Sequence, residues 1–503
     1  MTLGLLAIIF CSLLHVCRNQ APTVTEQPSD FTPSNKVTGS KDAGPNFVES
    51  PVVTIDPEKI DAYINSVRNV MPMLLSVSLA IIQTDANGNI LRHYTKGYGP
   101  LNPTQPTGPQ ATADTLCNIG SITKQFTTAV LGKVLQDRGI LTLWDTPMQQ
   151  LLGKEQSDFY PYPGLNELFT LRDALSHRSS IPGYEGAIML MEADGVGLDR
   201  DTFIKNFHHM KAITDPSLSV SWRSSFNYNN AMYMLAGALA SKLSEDGNHN
   251  SSGNWTWESL IKKHFYQPLK MENSTFVNRN IRLLQNLARP GLLDMATKRW
   301  KAVDDDALRF SNMTEPSGGI AVTANDMLKY LHYIVHPNAS QFRSNDLLPK
   351  AYIVRQMQAQ SSIYPDDSVL PEVWSKHGYG FGWVQGVYQG FSWLRHGGAD
   401  FGYLTDIDYY PKFNLSIYMC TTNDARIVPT ILTEAMSFAL FNLLLNLPPV
   451  YTATTVQAQL LPEILLYMQP PSKKQEAYML ALVNAYIRTN QSATNITCSN
   501  VRL

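Results

Sequence analysis

A chain of 503 residues, 44% hydrophobic and 16% charged, can bury a large core, and this composition excludes an intrinsically disordered protein. Its 40 basic and 42 acidic residues leave a net charge of −2, so no electrostatic footprint for nucleic acid is present. Length alone permits two or three domains.

Residues 1–21 read as a signal peptide. The apolar run from Leu3 to Val16 is shorter than the roughly 20 residues a membrane span requires and suits a leader core. A retained N-terminal anchor is the alternative. Sequons of the N-x-[ST] type begin at Asn250, Asn254, Asn273, Asn312, Asn338, Asn414, Asn490 and Asn495. Together with the leader they predict a secreted glycoprotein with no membrane span after cleavage. Of the five cysteines, Cys11 and Cys17 lie in the leader region, and Cys117, Cys420 and Cys498 remain. Three allow at most one intramolecular disulfide, and the sequence leaves open which two pair. No CxxC or Cys/His cluster is present, so no metal or cofactor is expected. The adjacent His208 and His209 read as surface residues. Residues 22–50, rich in Thr, Ser, Pro, Asp and Lys, read as a flexible linker.

Asp56-Pro57-Glu58 opens a helix, with Asp56 as cap and Ile60, Ile64 and Val67 on one face. Strands from Leu74 to Gln83 and Ile90 to Thr95 flank Asp85-Ala86-Asn87-Gly88-Asn89, a strong hairpin signal. The stretch Leu116-Cys117-Asn118-Ile119-Gly120-Ser121-Ile122-Thr123-Lys124 then runs from a strand through a glycine into a helix that stops at Gly139. A helical, loop-rich lobe follows over about 145–370. Strands return at Gly380 to Val387, Phe391 to Arg395, Phe401 to Tyr410 and Leu415 to Thr422, as an antiparallel meander. A helix from about Ile431 to Leu445 closes a single unit over 51–448. The extension 449–503 carries one helical stretch broken near Pro462 and another over Lys474 to Ile487. Strands early and late with helices between predict an α+β (α/β) fold. An antiparallel sheet from about 70–115 and 377–424 is flanked by helices, with a helical lobe beside it and the active site between them.

Ser121 and Lys124 are one helical turn apart, so hydroxyl and amine share a face, and the serine sits where helix N–H groups favour developing negative charge. That spacing alone decides nothing, because Ser259 and Lys262 share it; likewise Tyr228-Asn229-Asn230 has a chance match in Tyr63-Ile64-Asn65. Order and context carry the reading. Gly120-Ser121-Ile122-Thr123-Lys124 comes first, Tyr228-Asn229-Asn230 leads into a helix, and His396-Gly397-Gly398 closes a late strand.

In these motifs the chain resembles the penicillin-recognising serine hydrolases: class C β-lactamases, D-alanyl-D-alanine carboxypeptidases, related esterases and the β-lactamase-like proteins of animals. The resemblance runs over about 55–446. It includes Leu175-Ser176-His177-Arg178-Ser179-Ser180-Ile181-Pro182, Pro316-Ser317-Gly318-Gly319-Ile320 and Gly378-Tyr379-Gly380-Phe381-Gly382-Trp383. It implies that Ser121 is the nucleophile, Lys124 its base and Tyr228 the proton shuttle. It also implies that Asn230 bonds Lys124 and the substrate amide, and that the Ser121 and Ala399 amides form an oxyanion hole on the Gly398 strand. His177 reads as a loop brace outside the site. His396 stands where the β-lactamases carry lysine, and a histidine there is expected to titrate near neutral pH. Arg178-Ser179-Ser180 replaces the usual Thr-Ser-Gly. Both departures turn the expectation from β-lactams towards a small ester or peptide-like amide. No G-x-S-x-G is present, which argues against the α/β-hydrolase fold. The rival is a catalytically silent descendant that keeps the fold for binding or assembly.

Overall fold

The computed structural model describes residues 53–467, apart from 141, 154–164, 182, 184–199, 210–221, 224–225, 247–255, 279, 311–312, 338, 340–341, 343–346, 364–373 and 428–429. The leader, the linker and the predicted helix over 474–487 lie outside the described residues.

Helix α1 (Pro57–Val70) forms as its sequence predicts. Asp56 Oδ1 accepts from the Glu58 and Lys59 N–H groups, and Ile60, Ile64 and Val67 are buried. Strands β1 (Leu74–Thr84) and β2 (Ile90–Tyr98) make the hairpin. Asp85 Oδ1 holds its turn by accepting from Asn87 and Asn89, each at 2.8 Å. Next come β3 (Cys117–Asn118), α2 (Thr123–Asp137) and α3 (Asn230–Asp246). Beyond them lie β4 (Thr275–Phe276), β5 (Ile320–Val322) and α4 (Ala324–Val335). The late strands are β6 (Ser361–Ser362), β7 (Trp374–Tyr379), β8 (Val384–Tyr388), β9 (Phe391–Asp400), β10 (Tyr403–Tyr410) and β11 (Leu415–Asn423), followed by α5 (Ile431–Leu444).

Eight strands form one antiparallel sheet in the order β2-β1-β11-β10-β9-β8-β7-β6. The early hairpin joins the late meander where β1 pairs β11, with Ile81 opposite Ile417. Every residue of β1 is buried because both faces of the sheet are covered. Val77, Leu79 and Ile81 pack with α1 and α5, whereas Ala80 and Ile82 face the helical lobe.

Two local expectations change, and the lobe gains detail. The run Gly380 to Val387 is not one strand: Gly380–Trp383 turns between β7 and β8, with Gly382 at φ +81°. The mostly helical lobe also carries short strands, since β5 and β4 join β3 in a small sheet and 291–294 pairs with 299–302. The chain also stays helical from 453 through Pro462 to 467, by way of a π-turn over 456–460.

Candidate active site

The serine turn is built from β3 outwards. Asn118 Oδ1 accepts the Gly120 N–H at 2.5 Å, and Gly120 takes φ +49°, which glycine adopts without a Cβ penalty. A single 3₁₀ turn, Gly120–Ile122, then presents a half-buried Ser121 before α2 begins. The lobe holds the turn through the Ile119 N–H on Ile320 O (2.9 Å), and the sheet through Thr405 Oγ1 on Ile119 O (2.9 Å). A disulfide between Cys117 and Cys420 ties β3 to β11. It is the pairing the sequence left open.

Three predicted residues meet on one oxygen. Lys124 Nζ donates to Ser121 Oγ at 2.9 Å and to Ser317 O at 2.8 Å, and Tyr228 OH donates to Ser121 Oγ at 2.7 Å. Lys124 is fully buried, with Nζ 4.9 Å from the Tyr228 ring centroid and 5.5 Å from that of Tyr233.

Tyr228 lies in the irregular segment just before α3. Asn230 is the first residue of that helix and is half-buried. The capping geometry belongs to its neighbour: Asn229 Oδ1 accepts the Ala231 N–H (2.8 Å) and its Nδ2 donates to Ile181 O (2.9 Å). The chance matches fall elsewhere. Ser259 sits in a capping box with Thr256, and Tyr63 bonds Tyr451 O from α1.

His396, Gly398 and Ala399 lie within β9 rather than at its end, because the strand runs on to Asp400. On the β8 side its pairing stops at Arg395, which faces Val384, and the uncovered edge packs on the serine turn. The approach is close. A Cβ on Gly398 would lie 2.2 Å from Ile119 O, and one on Gly120 would lie 2.9 Å from Ala399 N.

The expected near-neutral titration of His396 is overturned. Its ring is buried, Nδ1 is 2.6 Å from Gly397 O and Nε2 is 2.9 Å from Tyr379 OH. Burial first, then the Lys124 charge, push its pKa down to about 3. The imidazole is therefore neutral at physiological pH, with one nitrogen donating to Gly397 O and the other accepting from Tyr379. Arg395 points to the opposite face, where its guanidinium bonds Asp406 (2.8 Å) and Glu434 (2.7 Å).

Sequence reasoning missed Ser317, Tyr233, Tyr379 and Asn229 as contributors. Ser317 and Tyr379 sit in the quoted Pro-Ser-Gly-Gly and Gly-Tyr-Gly stretches, but only the folded chain shows which of their atoms face the site. His177, set aside as a brace, packs its ring 4.3 Å from that of Tyr228.

Among the described residues, no group of three or more His, Cys, Asp or Glu could hold a metal ion. No helix among them is long and apolar enough to cross a membrane. His208 and His209 are exposed. Of the sequon asparagines, Asn273 is exposed and Asn414 half-buried; the other six lie outside the described residues.

Comparison with known proteins adds three findings. A family model described as Beta-lactamase matches residues 76–431. Unguisins hydrolase ungD of Aspergillus violaceofuscus is 24% identical over 356 residues, covering 68% of this chain and 57% of that protein. Beta-lactamase-like protein 2 of Dictyostelium discoideum is 25% identical, over 50% of this chain and 42% of its own length. The chain thus spans about half the length of these curated relatives. Among solved structures, the octameric penicillin-binding protein homologue from Pyrococcus abyssi aligns with TM-score 0.58 at 21% identity, covering 78% of each chain. The penicillin-binding protein from Bacillus halodurans aligns with TM-score 0.52 at 19% identity, covering 75% of this chain and 99% of its own. These likenesses establish the fold.

Proposed function

The chain belongs to the beta-lactamase family, and from that premise we propose that it is a serine hydrolase that cleaves an ester or peptide-like amide through an acyl-enzyme on Ser121. The observation that carries the reading is the convergence of Lys124 Nζ and Tyr228 OH on Ser121 Oγ, at 2.9 and 2.7 Å. A serine with a base and an acid both within hydrogen-bond reach has what acyl transfer requires.

In this scheme Ser121 Oγ attacks the carbonyl carbon while the neutral Lys124 amine takes its proton. The oxyanion forms against the backbone N–H groups of Ser121 and Ala399, and one such donor is worth about 10²–10³ in rate. Tyr228 hands a proton to the departing alcohol or amine as the tetrahedral adduct collapses to the Ser121 ester. A water that loses its proton to the Tyr228–Lys124 pair then attacks that ester, releasing the acid and restoring Ser121. Asn230, one residue beyond the Asn229 cap, is assigned to the substrate amide.

The substrate follows from β9. His396 carries no charge, and Gly397 and Gly398 have no side chains. On the His177 segment and the Tyr228 loop, Arg178 and Arg223 both end on Asp173, at 2.8 and 2.7 Å. This stretch therefore favours a substrate without a carboxylate beside the scissile bond over one that needs a fixed cation there. The leader and sequons support a secreted protein, with Asn273 the most exposed described candidate for a glycan.

A fluorophosphonate or acyl-ester probe should label the wild type at Ser121 and leave Ser121→Ala unlabelled. Absence of labelling across pH 6–9 would sink the hydrolase reading in favour of a silent binding or assembly protein. N-terminal sequencing of the mature chain tests leader removal against a retained anchor.

A further inference from the structure

Tyr228 needs a fixed position, because its hydroxyl must stay on Ser121 Oγ, yet it lies on backbone that belongs to neither helix nor sheet. The amides on either side of it both end on one residue. Asn227 N–H donates to His177 O at 2.7 Å, and Asn229 N–H donates to His177 Nδ1 at 3.0 Å. The His177 ring lies 4.3 Å from the Tyr228 ring at 36°, with Tyr379 at 4.8 Å and Phe226 at 5.5 Å.

His177 itself takes φ +57°, a left-handed conformation that L-residues avoid and that persists where the surroundings over-determine it. In this conformation its carbonyl and its ring both serve the same loop. Because Nδ1 accepts from an amide, the ring hydrogen is on Nε2, which makes no hydrogen bond among the described residues. Burial above all holds the imidazole well below its ordinary pKa and keeps that acceptor available. A second tether lies five residues earlier, where Arg223 grips Asp173 on the His177 segment through Nε and Nη2, both at 2.7 Å.

We propose that His177 is the positioning residue for Tyr228, holding its hydroxyl on Ser121 by bonding the two amides that flank it and backing its ring. The proposal rests on the hydrolase reading above and adds a residue that acts only through Tyr228. It differs from a core-filling role in one measurable respect, since its effect must vanish when Tyr228 has no hydroxyl to place.

The test is a double-mutant cycle on an activated ester, using His177→Leu, Tyr228→Phe and the pair, with melting temperatures alongside. His177→Leu is expected to lower kcat by at least tenfold with KM within threefold, and to cost less than twofold more in the Tyr228→Phe background. His177→Asn, which tolerates the left-handed conformation and offers an acceptor oxygen to the Asn229 amide, should restore kcat to within threefold of wild type. If His177→Leu does not fold, His177→Ala, which keeps the carbonyl bond to Asn227, takes its place in the cycle. Effects that simply add, or an unchanged kcat in a folded His177→Leu, would overturn the assignment while Ser121 labelling left the hydrolase reading intact. A wild type that no probe labels would overturn both.

Discussion

Replacing Gly120 with alanine tests how the sheet serves the serine. At φ +49° an alanine loses roughly 1–2 kcal/mol to left-handed strain, less about 0.5–1 kcal/mol regained because alanine is less free than glycine when unfolded. The net backbone cost is then about 1 kcal/mol. The new Cβ also meets Ala399 N at 2.9 Å and the Gly398 carbonyl carbon at 3.2 Å, and both are backbone atoms with no rotamer to yield. The uncovered edge of β9 has to retreat, and the Ala399 amide moves away from the place where the proposed oxyanion forms. Complete loss of one oxyanion donor costs about 10²–10³, so kcat/KM should fall between roughly tenfold and that limit. Gly139→Ala is the control: Gly139 has φ +70° with nothing within 4 Å of an added Cβ. It carries the same backbone strain and should lose about 1 kcal/mol in urea unfolding with unchanged kcat/KM. A folded Gly120→Ala variant within threefold of Gly139→Ala in kcat/KM would refute the claim that Ala399 takes part.

Other consequences are as direct. Because the folded pKa of His396 lies at about 3, below its unfolded value of about 6.5, its contribution to stability is present above pH 6.5. That contribution fades at up to about 1.4 kcal/mol per pH unit as pH falls towards 3. His396→Gln should flatten that acid limb in thermal melts and leave the pH profile of kcat/KM between 6 and 8 unchanged. Replacing both Cys117 and Cys420 by alanine should cost about 2–5 kcal/mol in chemical denaturation, and a tryptic map without reductant should show the Cys117–Cys420 cross-link in the wild type. Arg395→Leu leaves the buried Asp406 and Glu434 without their shared guanidinium. It should cost about 3–5 kcal/mol, measured by denaturant titration.

The sequence was most informative where structure is made locally. The Asp56 cap, the Asp85–Asn89 turn and the glycine ahead of Ser121 depend on neighbours a few residues away, and each forms as read. The order of the motifs also let Ser121, Lys124 and Tyr228 be grouped, although 107 residues separate the first from the third. What escaped depends on contacts between distant segments. Three cysteines could not reveal that Cys117 pairs with Cys420 across 303 positions. Gly380–Trp383 has strand-like residues, but Gly382 takes a positive φ where a Cβ would meet the Gln125 backbone at 2.9 Å. His396 was expected to titrate because an imidazole ordinarily does so near neutral pH, while the burial and the Lys124 charge that lower its pKa are set by other elements of the fold.

The pairing of β1 with β11 also shapes how the chain is made. A strand buried along its whole length in the finished sheet leaves the ribosome about 330 residues before its partner, since Gln83 pairs with Leu415. At 5–20 residues per second that is roughly 17–66 s of translation. For that interval β1 has one edge and two faces without their final cover, which is the condition under which strands aggregate. The serine turn waits just as long, because Thr405, Ala399 and Cys420 all arrive late. The growing chain therefore carries Ser121 through that whole interval, but can close the surroundings of the serine turn only once the last strand of the sheet is in place.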